Sequence, residues 1–177
     1  LHPGLNGQRT LITCALPLVS LLKHKLGRST AAQRNKAYKA MVRPSLEYAS
    51  IVWNPHTKVE IEKLEKLQRL AVSFIYNRYK RRDSPSAMLN DSKLECLNER
   101  RKHLRIKFLN RLYFSDLGID PQEYLPKHSS RKSRHKHKHY MKPIFARTDV
   151  YKISFFPHTI SDWNALPHDS PLLAPDE

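Results

Sequence analysis

Glycine and cysteine are both scarce in this 177-residue chain, which contains four Gly and two Cys. Neither a G-x-G-x-x-G nor a G-x-x-x-x-G-K-S/T run occurs, so nucleotide binding by those loops is excluded. Cys14 and Cys96 lie far apart in sequence without further Cys nearby, which argues against a disulfide framework and a thiolate zinc site. We therefore expect a reducing, intracellular location in the nucleus and cytoplasm.

Long apolar runs are also missing. The longest, Leu11–Leu22, has 12 residues, whereas a membrane span needs about 20. Pro17 interrupts this run and no small-residue cleavage site follows it, so we predict a buried helix and no membrane partner. Because the chain begins with Leu1 rather than Met, we expect that a preceding segment has been lost.

Acidic residues are outnumbered by basic ones, 16 Asp and Glu against 32 Lys and Arg, which gives a formal charge of +16. Such an excess indicates a polyanionic partner, most often nucleic acid, with an anionic membrane surface as the weaker alternative. The charge is uneven, since Glu47 is the single acid of residues 1–57 and the last 25 residues contain neither Lys nor Arg.

Helical periodicity predominates, and we predict an all-α fold: an irregular bundle of three to five helices with a basic loop and a short C-terminal helix. Residues 1–27 should form a partly helical N-terminal segment and 28–126 the helical bundle. Residues 127–149 should form a basic arm or loop, and 150–177 an aromatic helix followed by a frayed tail. Pro157 suits the first turn of that last helix.

The first long helix is expected to begin after Thr30, because Thr30 and Gln33 have the spacing of a capping box, and to run towards Trp53. Pro44 should kink or divide this helix. Its predicted apolar stripe consists of Tyr38, Met41, Ser45, Tyr48 and Val52.

A second helix is predicted after Thr57. Glu62 with Lys66, and Glu65 with Arg69, have the acid-first i,i+4 order that favours ion pairs on a helix. Because these pairs would neutralise one another, we interpret this face as a solvated, stabilising surface rather than a binding surface.

Residues 80–91 are predicted to form a loop, and Ser92 to cap a third helix that continues to Ser115. From Arg100 to Arg111 this helix contains six Lys or Arg and no acid, so no local neutralisation is available. It is the best candidate for a phosphate-facing helix, with a merely solvated face as the alternative. The candidate nucleic-acid-binding residues of the helices and the basic arm are Lys36, Lys39, Arg43, Arg100, Arg101, Lys102, Arg105, Lys107, Arg111, Arg131, Lys132, Arg134, Lys136 and Lys138.

Three histidines, His135, His137 and His139, alternate with lysines at a spacing that could hold a metal ion on an extended segment. The adjacent ammonium groups oppose a dication, so a polyanion-binding arm is the preferred interpretation. His158 and Asp162 lack a nucleophile with a visible oxyanion site. The sequence therefore indicates no catalytic residue, no metal and no cofactor on this chain.

The segment Ala37–Ile75 (AYKAMVRPSLEYASIVWNPHTKVEIEKLEKLQRLAVSFI) closely resembles the region after the polymerase palm in LINE-type (non-LTR) retrotransposon reverse transcriptases of the jockey and chicken-repeat kind. There the pattern is approximately Y-x-x-L-V-R-P-x-L-E-Y-A-x-x-V-W-x-P, followed by a helix with L-E-x-x-Q-R-x-A. The matching residues are Tyr38, Val42, Arg43, Pro44, Leu46, Glu47, Tyr48, Ala49, Val52, Trp53, Pro55, Leu64, Glu65, Gln68, Arg69 and Ala71.

Ser154–Pro167 (SFFPHTISDWNALP) resembles the C-terminal signature of the same polyproteins, S-F-F-P-R-T-I-x-x-W-N-x-L-P. The two segments occur in the family order with a similar spacer. The chain departs from the family at His158, where Arg is usual, and at Leu70 and 72–73, which replace a more basic stretch. It also contains no Asp-Asp dipeptide, and so lacks the Asp pair that binds the polymerase's metal ions.

The resemblance implies the thumb and C-terminal extension of a reverse transcriptase without its catalytic half. In that family the thumb-like bundle, here 28–126, holds the RNA template–DNA primer duplex by its backbone. The implied partners are RNA, DNA and the remaining polymerase portion, and no polymerase activity is expected from this chain alone. The alternative, from a different class, is a domesticated transposon remnant that acts as a helical protein-interaction scaffold, or a relic without function.

Overall fold

The structure, a computed structural model, describes residues 15–52, 54–55, 57–80, 82–92, 94–126 and 137–174. These residues form helices joined by turns and irregular segments, and no β-strand occurs among them. The predicted all-α class is confirmed. The helices are more numerous and shorter than the three to five that the sequence predicts.

The helices follow one another along the chain as α1 to α9. Residues 15–25 form α1. The later α-helices are α2 Ala31–Ala37, α3 Arg43–Glu47, α4 Lys58–Tyr76, α5 Pro85–Asp91, α6 Leu97–Tyr113, α7 Pro121–Tyr124, α8 Asp149–Lys152 and α9 Phe155–Asn164. A π-helical turn, Tyr38–Val42, connects α2 to α3, and a 3-10 turn spans Pro171–Leu173.

The chain divides into two compact units, Leu1–Arg101 and Lys102–Glu177, hereafter unit 1 and unit 2. The division falls within α6 and therefore at a different place from the four segments expected from the sequence. Each unit has its own apolar core. The unit 1 core is built mainly from α1 to α6, and the unit 2 core from α6, α9, the residues around Met141 and the 3-10 turn.

Pro44 divides the first long helix of unit 1, as predicted. Because proline has no amide hydrogen, it cannot continue the regular helical bonding, and the amide of Arg43 donates to the carbonyl oxygen of Tyr38, five residues back. This π turn shifts the helical register, and the buried side chains are those of Tyr38, Val42 and Leu46. The predicted stripe is wrong beyond Tyr38, since the helix ends at Glu47 and exposes Met41, Tyr48 and Val52.

Part of the loop predicted for residues 80–91 is helical, because Pro85–Asp91 forms α5. The Ser84 hydroxyl accepts a hydrogen bond from the amide of Ala87, and Pro85 occupies the first turn of α5. Ser92 does not cap the third long helix, because its hydroxyl donates to the Leu89 carbonyl oxygen at 2.6 Å and ends α5.

In unit 2, α9 contains the aromatic segment predicted near the C-terminus, with Pro157 in its first turn. Trp163 and Ile160 are fully buried in the core. The last residues that the structure describes are not a frayed tail, because Asn110 of α6 donates to the carbonyl oxygens of Leu172 and Ala174 at 2.9 and 2.6 Å.

The end of the predicted basic arm is fixed against α9. The Asn164 side-chain amide donates to the Met141 carbonyl oxygen at 2.8 Å and accepts from the Met141 amide at 3.0 Å. The Trp163 indole donates to the His139 carbonyl oxygen at 2.8 Å. Residues 137–141 include a turn and bury His137 and Met141, while residues 127–136 of the predicted arm or loop lie outside the described part.

Candidate nucleic-acid interface

Glu47 draws together two of the predicted phosphate-binding arginines. Its carboxylate accepts hydrogen bonds from Arg43 Nε at 3.1 Å, from Arg100 Nε, and from Arg100 Nη2 at 3.2 Å. Arg100 Nη1 also lies 3.3 Å from a carboxylate oxygen of Glu95. The hydrogen bond with Glu47 raises the pKa of Arg100 above its ordinary value. Both guanidinium groups therefore have carboxylate partners within unit 1, which argues against them as phosphate-binding groups.

Two further candidates on α6 are buried. Arg101 is 1% exposed, and its Nη2 donates to the Leu46 carbonyl oxygen at 2.6 Å. Arg105 is 4% exposed, and its Nη2 donates to Asp162 Oδ2 at 2.9 Å. Neither guanidinium group is open to a nucleic-acid phosphate in the structure, which argues against both residues as phosphate contacts.

Asp162 of α9 is the centre of the polar cluster in unit 2. Besides Arg105, two further side chains lie close to its carboxylate. Lys102 Nζ is 3.8 Å from Asp162 Oδ1, and His158 Nε2 is 3.8 Å from Asp162 Oδ2. Desolvation lowers the pKa of His158, the nearby Arg105 and Lys102 charges lower it further, and Asp162 opposes this shift. Lys102, which is partly exposed, thus faces an acid of its own unit.

The remaining candidates in the described ranges are at the surface. Lys36 on α2, Lys39 on the π turn, Lys107 and Arg111 on α6, and Lys138 are all exposed. Arg131, Lys132, Arg134 and Lys136 lie outside the described residues. The structure therefore retains five of the candidates as exposed cations.

The face of α4 also differs from its prediction. Within residues 57–80, which the structure describes throughout, no ion pair joins Glu62 to Lys66 or Glu65 to Arg69. The Glu65 carboxylate instead accepts a hydrogen bond at 3.0 Å from the amide of Asn98, in the first turn of α6. An anion is favourable there because the first amides of a helix lack partners.

Sequence reasoning missed the acids that neutralise α6. Glu47 had a usable signal, since it is the single acid of residues 1–57 in a strongly basic region. Asp162 had a weaker signal, because it lies far in sequence from Lys102 and Arg105. Neither acid lies inside the stretch from Arg100 to Arg111, because both partners come from other elements.

The histidines near α9 are used in packing. His137 Nε2 lies 3.0 Å from the Trp163 carbonyl oxygen, and His139 Nδ1 lies 3.3 Å from the Tyr113 hydroxyl. Among the residues that the structure describes, no three His, Cys, Asp or Glu are grouped as a metal site requires, and no helix is long and apolar enough to cross a bilayer.

The chemistry available to these surfaces is electrostatic. Exposed ammonium and guanidinium groups on helices contact phosphates without reading base edges, so they give affinity with little sequence preference. No family model, curated protein or solved structure matches this chain.

Proposed function

We propose that this chain is a nucleic-acid-binding module that holds a duplex or an RNA–DNA hybrid by its backbone phosphates. In this proposal it is the thumb and C-terminal extension of a LINE-type reverse transcriptase and lacks the catalytic palm. Its partners are RNA, DNA and the separate polymerase portion, in the nucleus and cytoplasm, and it requires no cofactor of its own.

The burial of the residues that match the family pattern carries the proposal. Tyr38, Val42, Leu46, Leu64 and Ala71 of the first segment lie in the unit 1 core. Ile160 and Trp163 of the second segment lie in the unit 2 core, and the adjacent Asn164 holds Met141. Because each segment supplies a core of its own unit, the resemblance extends to residues on which folding depends.

The exposed cations supply the affinity. Lys36 and Lys39 lie on one stretch of unit 1, and Lys107 and Arg111 lie one turn apart on α6 in unit 2. If these and similar side chains neutralise about six phosphates, log K should fall with log salt at a slope near −5, from roughly −0.9 per phosphate on B-form DNA.

Fluorescence anisotropy of a labelled RNA–DNA hybrid, measured over a series of salt concentrations, tests this proposal. The double variant Lys107→Gln, Arg111→Gln should reduce the slope by about two and weaken hybrids of different sequence alike. The matched control is Lys63→Gln, Lys66→Gln, which removes the same charge from exposed positions of α4. Circular dichroism verifies that both variants keep their helices.

Equal losses in the two double variants would mean that only total charge matters and that α6 has no particular role. A salt-independent affinity, or no binding at low salt, would reject nucleic-acid binding and favour the protein-interaction scaffold. That rival has one specific observation in its favour, since Tyr48 and Val52 are 71% and 86% exposed after the end of α3.

A further inference from the structure

Phe145 of unit 2 is the most exposed large apolar side chain in the described part of the chain, at 88%. The backbone that carries it is anchored on both sides. Ile144 packs against the unit 2 core, and Met141 exchanges two hydrogen bonds with the last residue of α9. After Phe145, the Thr148 hydroxyl accepts a hydrogen bond from the Tyr151 amide at 3.3 Å and caps α8. The phenyl ring is therefore displayed to solvent from a segment that is held at both ends.

Two exposed cations flank this ring, Lys142 three positions before it and Arg147 two positions after it. Because consecutive Cα atoms are about 3.8 Å apart, the Cα atoms of both residues must lie within roughly 11 Å of that of Phe145. No ion pair or hydrogen bond of either side chain occurs in the part of the chain that the structure describes. Chain connectivity therefore keeps two cations beside the ring, and both remain for an external anion.

Acidic residues are scarce in this segment. Residues 142–152 contain three Lys or Arg and one acid, Asp149. Asp149 lies in the first turn of α8, where unpaired helix amides favour a negative charge, and it makes no ion pair within the described residues. The local potential around Phe145 is therefore positive.

A single exposed apolar side chain is common on protein surfaces and needs no ligand. An exposed aromatic ring between two cations is a more specific arrangement, because it offers a stacking face and positive charge together. Proteins that bind single-stranded nucleic acid use this combination, since bases stack on aromatic side chains while basic groups follow the backbone phosphates. A duplex hides its base faces, so it could use the cations but not the ring.

We infer that residues 142–147 bind an unpaired nucleotide of single-stranded DNA or RNA. The base stacks on the Phe145 ring, and Lys142 and Arg147 contact the phosphates on either side of it. This surface goes beyond the proposed function, because it binds a different form of nucleic acid and does not depend on the family resemblance. An anionic membrane is the alternative ligand for an aromatic ring among cations. Interfacial binding uses a long apolar helix face, however, and residues 142–147 form no helix.

Fluorescence anisotropy with the full chain and two labelled strands tests this inference. One strand is an oligothymidylate of about twelve nucleotides. The other is an abasic strand of the same length, which keeps the phosphates but has no bases. Phe145→Ala should weaken binding of the oligothymidylate by about five- to a hundredfold, as the loss of one base stack does, and should leave binding of the abasic strand unchanged. Equal weakening on both strands, or none on the oligothymidylate, would overturn the inference.

Tyr48→Ala is the matched control, since it removes an exposed aromatic ring from unit 1 and should leave oligothymidylate binding unchanged. Phe145→Trp should retain the affinity. Its added indole fluorescence, after subtraction of the wild-type signal, should be quenched by the oligothymidylate but not by the abasic strand. Because Phe145 lies outside the core, its substitutions should keep the helices, which circular dichroism verifies. Equal losses from Phe145→Ala and Tyr48→Ala, or no quenching in Phe145→Trp, would overturn the stacking.

The flanking cations are tested by the salt dependence of oligothymidylate binding. The double variant Lys142→Gln, Arg147→Gln should reduce the slope of log K against log salt by about 1.4, from roughly −0.7 per phosphate on a single strand. The matched control, Lys63→Gln, Lys66→Gln, removes the same charge from exposed positions of α4 and should leave this slope nearly unchanged. Equal changes in the two double variants would overturn the assignment of these phosphates to residues 142–147.

The labelled RNA–DNA hybrid separates this inference from the proposed function. Hybrid binding, together with no effect of Phe145→Ala on the oligothymidylate, would overturn the inference and leave the proposed function standing. Oligothymidylate binding that depends on Phe145, without any hybrid binding, would reject the proposed function and leave this surface standing. Weaker binding of Phe145→Ala to vesicles of anionic phospholipid, with oligothymidylate binding unchanged, would identify a membrane contact and also overturn the inference.

Discussion

The arginines of α6 separate into two classes that the sequence alone does not distinguish. Arg100, Arg101 and Arg105 are held by Glu47, the Leu46 carbonyl and Asp162, and are structural. Arg111 is exposed, and no hydrogen bond or ion pair of its side chain occurs in the described chain. Charge density along a helix therefore overestimates the number of side chains that remain for a polyanion.

Arg100→Gln should affect the stability of the fold, whereas Arg111→Gln should affect the binding of nucleic acid. We expect Arg100→Gln to lower the free energy of unfolding by about 1–3 kcal/mol, because a partly buried carboxylate loses charged donors. Its salt slope for hybrid binding should not change. Arg111→Gln should change stability by less than about 0.5 kcal/mol and lower the slope by about one. Urea denaturation and anisotropy measure the two quantities, and an altered slope in Arg100→Gln would contradict the division.

His158 gives unit 2 a pH dependence. Since burial and the adjacent cations lower its folded pKa below the ordinary 6.5, the unfolded chain takes up the proton more readily as the pH falls. The stability that His158 contributes should therefore be fully present above its ordinary pKa of 6.5 and should decrease as the pH falls below it. We expect this decrease to be smaller in His158→Gln, as measured by thermal unfolding at several pH values. A parallel profile for both proteins would show that His158 titrates normally.

Local sequence signals are sufficient to predict a helix boundary where the hydrogen-bonding partners lie within one turn. The capping box formed by Thr30 and Gln33 is present, with the Thr30 amide donating to the Gln33 side chain at 3.0 Å. Pro44 also divides its helix as predicted. The helical register after Pro44 could not be predicted from the sequence. It depends on whether the helix accommodates the missing proline amide by a π turn or by ending there.

The start of α6 is a case in which the partners are distant. Its first turn is held by Glu65, 33 positions earlier, and the Gln68 side chain donates to the Glu95 carbonyl oxygen at 2.9 Å. Periodicity assigns Glu65 to an i,i+4 pair with Arg69 because that is the closest partner in sequence. In the folded protein Glu65 instead accepts a hydrogen bond from the Asn98 amide, which has no partner within its own helix.

Glu65→Ala should lower the free energy of unfolding by about 1 kcal/mol, because it removes an acceptor and a negative charge from the N-terminus of α6. Glu62→Ala on the same helix is the control, since Glu62 is exposed and should change stability by less than about 0.5 kcal/mol. Chemical denaturation of both variants measures the difference. Equal effects would mean that the hydrogen bond to Asn98 contributes nothing.

The chain folds as two units with separate cores, and each unit contains one of the two segments that resemble the reverse transcriptase family. The all-α class followed from periodicity, because apolar spacing reports secondary structure directly. The division within α6 did not, since a continuous helix carries no sequence mark where its packing partners change.

The 177-residue chain should not extend a primer by itself. Phosphoryl transfer by two metal ions requires carboxylates that hold those ions, and the acids central to the charged clusters are committed, Glu47 to arginines and Asp162 to Arg105 and Lys102. The measurement is primer extension on an RNA template with Mg²⁺ or Mn²⁺. Incorporation above a protein-free control would show that catalytic groups are present.

The pairing of Asn164 with Met141 makes part of unit 2 indifferent to ionic strength. Neutral amides exchange hydrogen bonds there, and the Trp163 indole adds another, so added salt screens none of these contacts. The Glu47 and Asp162 clusters are ionic and partly exposed to solvent, so added salt weakens the attraction between their charges. A salt titration that displaces phosphates from the exposed cations should therefore leave residues 137–141 in place. The dissociation measured in it will then report lost phosphate contacts rather than unfolding of this segment.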